Sequence, residues 1–109
     1  MFDPLHEVAC KIYAELNAYS VTLCSEGWAL ITVGKPTTEV DVVGVLKQNG
    51  FHVTDCDPSE RGSPLFKDCF GAFSGVINGK RVLGLIYYDE DKKKVREIKI
   101  FYQPQGGLQ

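Results

Sequence analysis

The dipeptide Asn78-Gly79, set between two runs rich in apolar and aromatic residues, constrains the fold more than any other feature of this 109-residue chain. Asn-Gly is the preferred sequence of a two-residue hairpin turn in which both residues have positive φ. The flanking runs, 70–77 and 80–88, are therefore predicted to be antiparallel strands. The short loop also fixes the register, which places Phe73 opposite Gly84 on one face of the sheet.

A third strand is predicted at 95–102, after the charged stretch 89–94. Pairing Tyr88 with Val95 across this charged tip gives a three-stranded meander. One face of the meander then holds Gly71, Phe73, Gly75, Val82, Gly84, Ile86, Tyr88, Glu97, Lys99 and Phe101. The opposite face is predicted to be the core, with the first helix as its cover.

The first of these faces is unusual because it carries glycines inside strands, where glycine marks a bend or a close approach. We favour a bent sheet with the second helix packed on the glycines or with Phe73 lying across Gly84. The functional alternative is a shallow aromatic concavity for a ligand or a partner chain, and a different register is the third possibility. The candidate binding residues are Phe73, Gly75, Gly84, Tyr88, Glu97, Lys99 and Phe101, together with Arg61 of the loop 57–68.

The N-terminal segment predicts a helix. Asp3 suits the capping position, and Pro4 suits the first helical position because its missing N–H would be unpaired there anyway. One apolar stripe follows at steps of three and four residues, formed by Leu5, Val8, Ala9, Ile12 and Leu16. The helix is expected to end within 17–20.

Residues 21–33 predict a short strand, a turn at 25–27 and a longer strand. The segment 37–50 is ambiguous. Thr38 and Asp41 form a capping-box pattern and Gly50 suits a helix stop, whereas the valines favour a strand and Asn-Gly favours a hairpin turn. We favour the helix, because neither face of a hairpin would be cleanly apolar.

These elements, with a further strand at 51–56, predict an α+β fold. We expect one or two helices packed on a curved antiparallel sheet of five or six strands, ending in a C-terminal three-stranded meander. The strand order does not follow from the sequence. Residues 1–103 are expected to form a single α+β domain, and 104–109 a flexible C-terminal tail.

The composition excludes some classes of function. Hydrophobic residues make up 44% of the chain and charged residues 24%, with a net charge of −2. A strong nonspecific nucleic-acid binder carries a basic surface, so a nucleic-acid partner is not expected. The sequence shows neither the pattern of a secretory signal nor a stretch that could span a membrane, so we expect a cytoplasmic location and no membrane partner.

The four cysteines lie far apart, at Cys10, Cys24, Cys56 and Cys69. We expect reduced thiols. His6 and Cys10 lie four apart on a helix, and His52 and Cys56 have the same spacing on a strand. Together they offer two nitrogen and two sulfur ligands, but the tight cysteine pairs of structural zinc sites are absent, so no metal is expected.

Nucleophilic catalysis would need Cys56 or Cys69 beside His52, and no motif supports that arrangement. The glycine-rich loops that bind nucleotide phosphates are also absent. We therefore expect no catalytic residues and no cofactor.

The stretch 79–91, GKRVLGLIYYDED, together with its return strand resembles the meander of RelE-type endoribonuclease toxins. The resemblance implies ribonuclease activity as one alternative. Those toxins are strongly basic and place two helices before the meander, whereas this chain is acidic and has intervening strands. No catalytic residue is carried over from the family.

Three classes of function follow from these patterns. The first is a noncatalytic binding protein that acts on another macromolecule, most simply a protein, as inhibitors, immunity proteins and accessory factors do. The second is a small-molecule binding domain that uses the glycine-lined face, and the third is a small enzyme such as a ribonuclease. A homodimer is compatible with each. Any partner is expected at the glycine-lined face or along the loop 57–68.

Overall fold

A computed structural model describes residues 3–24, 27–34, 37, 39–55, 69–88 and 94–103. It contains two helices and six strands. In chain order these are α1 (Pro4–Leu16), β1 (Ser20–Cys24), β2 (Trp28–Thr32), α2 (Glu39–Gln48), β3 (His52–Asp55), β4 (Cys69–Ile77), β5 (Lys80–Tyr88) and β6 (Val95–Tyr102). The predicted α+β class is confirmed. The predicted loop at 57–68 and the tail at 104–109 lie outside the described residues.

The six strands form one antiparallel sheet in the order β1-β2-β6-β5-β4-β3. The turn between β4 and β5 has the predicted geometry, with φ of 51° at Asn78 and 78° at Gly79. Phe73 pairs with Gly84, as the two-residue loop requires. The return strand β6 lies between β5 and the β1–β2 hairpin, so the meander joins both halves of the chain in one sheet.

Helix α1 begins as predicted. The side chain of Asp3 accepts a hydrogen bond of 2.9 Å from the N–H of Leu5, and Pro4 occupies the first turn. At the other end Asn17 adopts the left-handed conformation, and the N–H of Ala18 donates to the carbonyl of Tyr13. These bonds supply donors to backbone carbonyls of the last turn, which would otherwise have no partner within the helix, so the helix ends at a defined residue.

Helix α2 resolves the ambiguity at 37–50 in favour of the helix. Gly50 has a φ of 88°, its N–H donates to Lys47, and the N–H of Phe51 donates to Leu46. These two bonds form a Schellman motif, in which glycine supplies the left-handed residue. The Asn49-Gly50 dipeptide is therefore a helix stop and not a hairpin turn.

Both helices pack on the same side of the sheet, where they enclose the main hydrophobic core. From the helices the core receives Leu5, Ala9, Ile12, Leu16, Val42 and Leu46. From the strands it receives Ala29, Ile31, Phe73, Val82, Ile86, Val95, Ile98 and Ile100. Phe73 is thus on the helix-covered side. The prediction that the opposite face forms the core under α1 is wrong for β4 and β5, whereas Ile98 and Ile100 of β6 lie in the core as predicted.

The side chains of β6 differ from the prediction in which residues of β4 and β5 they share a face with, and the cause is a β-bulge in β6. Tyr88 pairs with Val95 as predicted, but Tyr87 then pairs with Glu97, so Arg96 is an extra residue. An extra residue in one strand reverses the side-chain alternation beyond it. Glu97 and the alternate residues after it therefore lie opposite the face predicted for them, and Ile98 turns into the core.

The spaces above two strand glycines are filled by aromatic rings. A Cβ on Gly84 would overlap the ring of Phe73, and a Cβ on Gly75 would lie 2.7 Å from the ring of Phe51. The two rings contact each other edge to face, with centroids 5.1 Å apart. The alternative in which Phe73 lies across Gly84 is confirmed, and no concavity remains at these two positions.

The end of β6 is tied to the start of α1. The hydroxyl of Tyr102 donates a 2.9 Å hydrogen bond to Asp3, and the ammonium of Lys80 lies 5.3 Å from the centre of the Tyr102 ring. Burial acts to raise the pKa of Asp3. The hydrogen bonds from Leu5 and Tyr102, with the electrostatic effect of the nearby His6 and Lys80 side chains, outweigh burial and lower the pKa of Asp3 from its usual value. Asp3 is therefore ionised at neutral pH, as a capping carboxylate at a helix N-terminus should be.

Candidate interaction face

The side of the sheet opposite the two helices carries a second set of apolar side chains. We call this surface the open face, because neither described helix lies on it. Its central residues come from β2, β6, β5 and β4 and alternate with core residues along each strand. They are Trp28, Leu30, Ala72, Leu83, Leu85, Tyr87, Lys99 and Phe101.

The strand register arranges these side chains in two rows. In the first row Phe101 pairs with Trp28 on one side and with Leu83 on the other. In the second row Lys99 lies between Leu30 and Leu85. Directly opposed side chains on one face lie about 5 Å apart and contact each other. The open face therefore has a continuous apolar centre with one ammonium group in it.

Leu85 is the most buried residue of the open face, at 5% exposure. Ala72, Tyr87 and Phe101 pack around it and form a small cluster that is separate from the main core. At the edge of the face Val76 is 68% exposed. The sheet is thus apolar on both sides, and only one side is covered by described helices.

Charged groups lie within the apolar centre and beside it. The ammonium of Lys99 lies 5.5 Å from the centre of the Trp28 ring, within the range of a cation–π contact. Arg96 and Glu97 form a partly exposed ion pair, with 3.4 Å between Nε of Arg96 and Oε1 of Glu97. Burial and the Glu97 carboxylate raise the pKa of Tyr87, against the opposing charge of Arg96. The Tyr87 phenol therefore stays protonated and can donate a hydrogen bond.

The structure separates the predicted site residues into two groups. Phe73, Gly75 and Gly84 lie on the helix-covered side. Glu97, Lys99 and Phe101 lie on the open face. Tyr88 pairs with Val95 through the backbone, and its side chain is outside the description, as is the whole of Arg61. The predicted grouping of Glu97, Lys99 and Phe101 with the glycines is wrong, because the bulge at Arg96 places them on the other face.

Sequence reasoning did not include Trp28, Leu83 and Leu85 among the candidate binding residues. The alternation of Trp28 and Leu30 with the buried Ala29 and Ile31 could have placed Trp28 on a second apolar face. That signal is ambiguous because both sets of residues are apolar. Only the pairing of β2 with β6 decides which set faces the helices.

The residues proposed for metal or thiol chemistry are partly described. The Nε2 of His6 donates a 2.9 Å hydrogen bond to the carbonyl of Cys24, which ties α1 to the end of β1. Cys10 is exposed and Cys24 half-buried, and neither forms a disulfide with another described residue. Among the described residues no three His, Cys, Asp or Glu side chains gather into a possible metal site. Cys56 and the side chain of Cys69 lie outside this description.

Neither α1 nor α2, the helices of the described ranges, has the length and apolarity to cross a membrane. No protein-family model, curated protein or solved structure matches the chain at a significant level. The observations that bear on function are therefore those of the open face and of the sheet edges.

Proposed function

We propose that this chain is a noncatalytic binding protein whose open face docks on another protein. The observation that carries the proposal is the apolar and aromatic centre of that face, formed around Trp28, Phe101 and Leu85. Soluble proteins seldom expose large contiguous apolar patches, and those that do use them for binding. Tryptophan and tyrosine are also the side chains most often found to dominate the energy of an interface.

The dimensions of the open face suit the centre of a protein interface. Its central residues span four neighbouring strands, or roughly 14 Å at about 4.8 Å per strand. A standard interface covers about 800 Å² on each partner, with an apolar centre and a polar rim. The apolar rows supply the centre, and Arg81 and Glu97 supply part of the rim.

The charges favour a protein over a nucleic acid. Arg81 and Lys99 are the cations on the open face that no described carboxylate neutralises, and the whole chain has a net charge of −2. Nucleic-acid binding requires several phosphate contacts from a basic surface. A protein partner with an apolar patch and a carboxylate opposite Lys99 would complement the open face.

The other two classes of function gain no support from the described residues. The small-molecule alternative relied on space above the strand glycines, and the rings of Phe51 and Phe73 fill that space at Gly75 and Gly84. The enzyme alternative needs a nucleophile beside a base, and the one hydrogen bond given for His6 goes to the backbone carbonyl of Cys24 and not to a thiol.

The proposal predicts that Phe101→Ala weakens partner binding without unfolding the protein. Phe101 is half-buried on the open face, and Tyr13 is a half-buried aromatic residue on α1, on the other side of the sheet. Tyr13→Ala is therefore the matched control. We expect Phe101→Ala to lower the affinity for a protein captured by the wild-type chain at least tenfold, or about 1.4 kcal/mol. Tyr13→Ala should leave this affinity unchanged.

The measurement is titration of the captured protein with each variant, after circular dichroism has shown that the variant is folded. Equal affinities for wild type, Phe101→Ala and a further variant, Leu83→Ala, would contradict the proposal. Capture of a nucleic acid in place of a protein would contradict the class of partner.

A further inference from the structure

The strand β1 lies at one end of the sheet and pairs with β2 on one side only. An edge strand presents backbone N–H and C=O groups that another strand can pair with. Proteins usually protect such an edge with lysine, proline, a bulge or a covering segment. The sequence of β1, SVTLC, contains no charged residue and no proline, and its pairing with β2 runs without a bulge. Its outer side meets no strand of the described ranges.

The side chains at this edge are unusually apolar for a surface. Tyr19, directly before β1, is 77% exposed and Leu23 is 43% exposed. They are two of the three large hydrophobic side chains that are exposed in the described parts of the chain. Val21, between them, is half-buried against the core. The edge therefore offers apolar contacts as well as backbone hydrogen bonds.

The edge β3 at the other end of the sheet differs. It has four residues, HVTD, and includes the charged Asp55. A charged residue on an edge strand opposes strand pairing. Of the two edges, β1 is the one suited to pair with another strand.

We infer that two copies of this chain pair through β1, antiparallel and centred on Thr22, to form one sheet that is continuous across both copies. This arrangement is the one antiparallel register that pairs all five residues of β1 with their copies. It places Thr22 opposite Thr22 of the second copy and Val21 opposite Leu23. Cross-strand threonine pairs and pairs of apolar residues stabilise sheets.

The residue pattern of β1 is complementary to itself in this register. Val21 and Leu23 lie on the helix side of the sheet, so both apolar pairs form there, next to α1 of each copy. Thr22 is exposed on the opposite side, where the threonine pair forms. No like charges are brought together, because β1 has none. A second copy therefore fits the edge without any change to the strand.

The experiment measures the mass of the full-length chain in solution by sedimentation equilibrium at increasing concentration. We expect a monomer–dimer equilibrium. Thr22→Lys would place two lysines opposite each other at the centre of the pairing, and opposed like charges are strongly unfavourable at an interface. This variant is expected to weaken the dimer at least tenfold. The matched control is Thr54→Lys, at an exposed threonine of the other edge strand, and it should leave the dimer unchanged.

A second measurement tests the register and does not depend on the lysine variant. Under mild oxidation Thr22→Cys is expected to form a covalent dimer, because the two residues at position 22 face each other. Thr54→Cys should give no more covalent dimer than the wild type, whose own cysteines set the background.

A chain that stays monomeric at all concentrations would overturn the inference. A dimer that is unaffected by Thr22→Lys would also overturn it. If the dimer is lost in Phe101→Ala and retained in Thr22→Lys, it forms through the open face and not through β1. These outcomes are distinct from a failure of the proposed function. That function is tested by whether Phe101→Ala weakens binding of the captured partner protein, which is not a copy of this chain.

Discussion

Replacing Phe73 with alanine is expected to lower the free energy of unfolding by about 3–5 kcal/mol. Phe73 is 2% exposed, contacts Phe51 edge to face and lies across Gly84. Its removal would leave a cavity between the sheet and the helices that the surrounding residues could fill only in part. The free energy is obtained from urea unfolding followed by circular dichroism.

The comparison variant is Phe101→Ala, which removes the same ring from the open face. Phe101 is half-buried, so this change should lower the free energy of unfolding by less than half as much. Equal losses for the two variants would contradict the assignment of the two faces. A larger loss for Phe101→Ala would reverse it.

The second large effect is expected for Gly84→Ala. A methyl group at this position would overlap the Cζ and Cε atoms of the Phe73 ring. Gly84 lies in β5, which pairs with β4 on one side and with β6 on the other. Because these pairings hold the backbone in place, the ring of Phe73 has to move. Overpacking of this kind costs about 3 kcal/mol at the upper end of the usual range.

The matched control is Gly44→Ala, in the middle of α2. Gly44 is exposed, and a Cβ there would contact nothing within 4 Å. Alanine is the better helix former, so this change should stabilise the protein by about 0.5–1 kcal/mol. The same substitution is thus expected to have opposite signs at the two glycines.

The contact between Gly84 and Phe73 is tested by combining Gly84→Ala with Phe73→Leu. The smaller side chain leaves space for the methyl group, so the double variant should be more stable than the sum of the two single effects indicates. Strictly additive losses would show that the two residues do not contact each other.

The local elements of the fold could be predicted because their signals are short-range. The Asp3 cap, the Asn78-Gly79 turn and the stop at Gly50 each depend on a few neighbouring residues. Each of these signals specifies a backbone conformation directly. The segment 37–50 carries conflicting signals, because its valines favour a strand and its capping residues favour a helix. The Schellman motif and the burial of Val42 and Leu46 show that it is a helix.

The pairing of β6 could not be predicted to the same degree. The bulge at Arg96 has no glycine or proline to mark it, and one extra residue reverses every side chain that follows. The position of β6 between β5 and β2 depends on contacts between distant parts of the chain.

The two faces could not be told apart from composition. In β5 both Val82 and Ile86 on one side and Leu83 and Leu85 on the other are apolar. Alternation identifies a buried face only when the other face is polar. A sheet with apolar side chains on both sides loses that contrast. The glycines therefore indicate one face as the interaction face, whereas Trp28, Tyr87 and Phe101 lie on the other.

Trp28 allows the proposed function to be tested directly, because it is the one tryptophan in the chain and lies on the open face beside Phe101. Incorporation of fluorotryptophan would give a single fluorine NMR resonance that reports on this position, whatever tryptophans the partner contains. If the open face binds the partner, the resonance should shift or broaden on addition of the captured protein. Its chemical shift should also stop changing when H2O is replaced by D2O, because the partner excludes water from Trp28. An unchanged Trp28 resonance in a complex whose formation is shown by sedimentation would contradict the account.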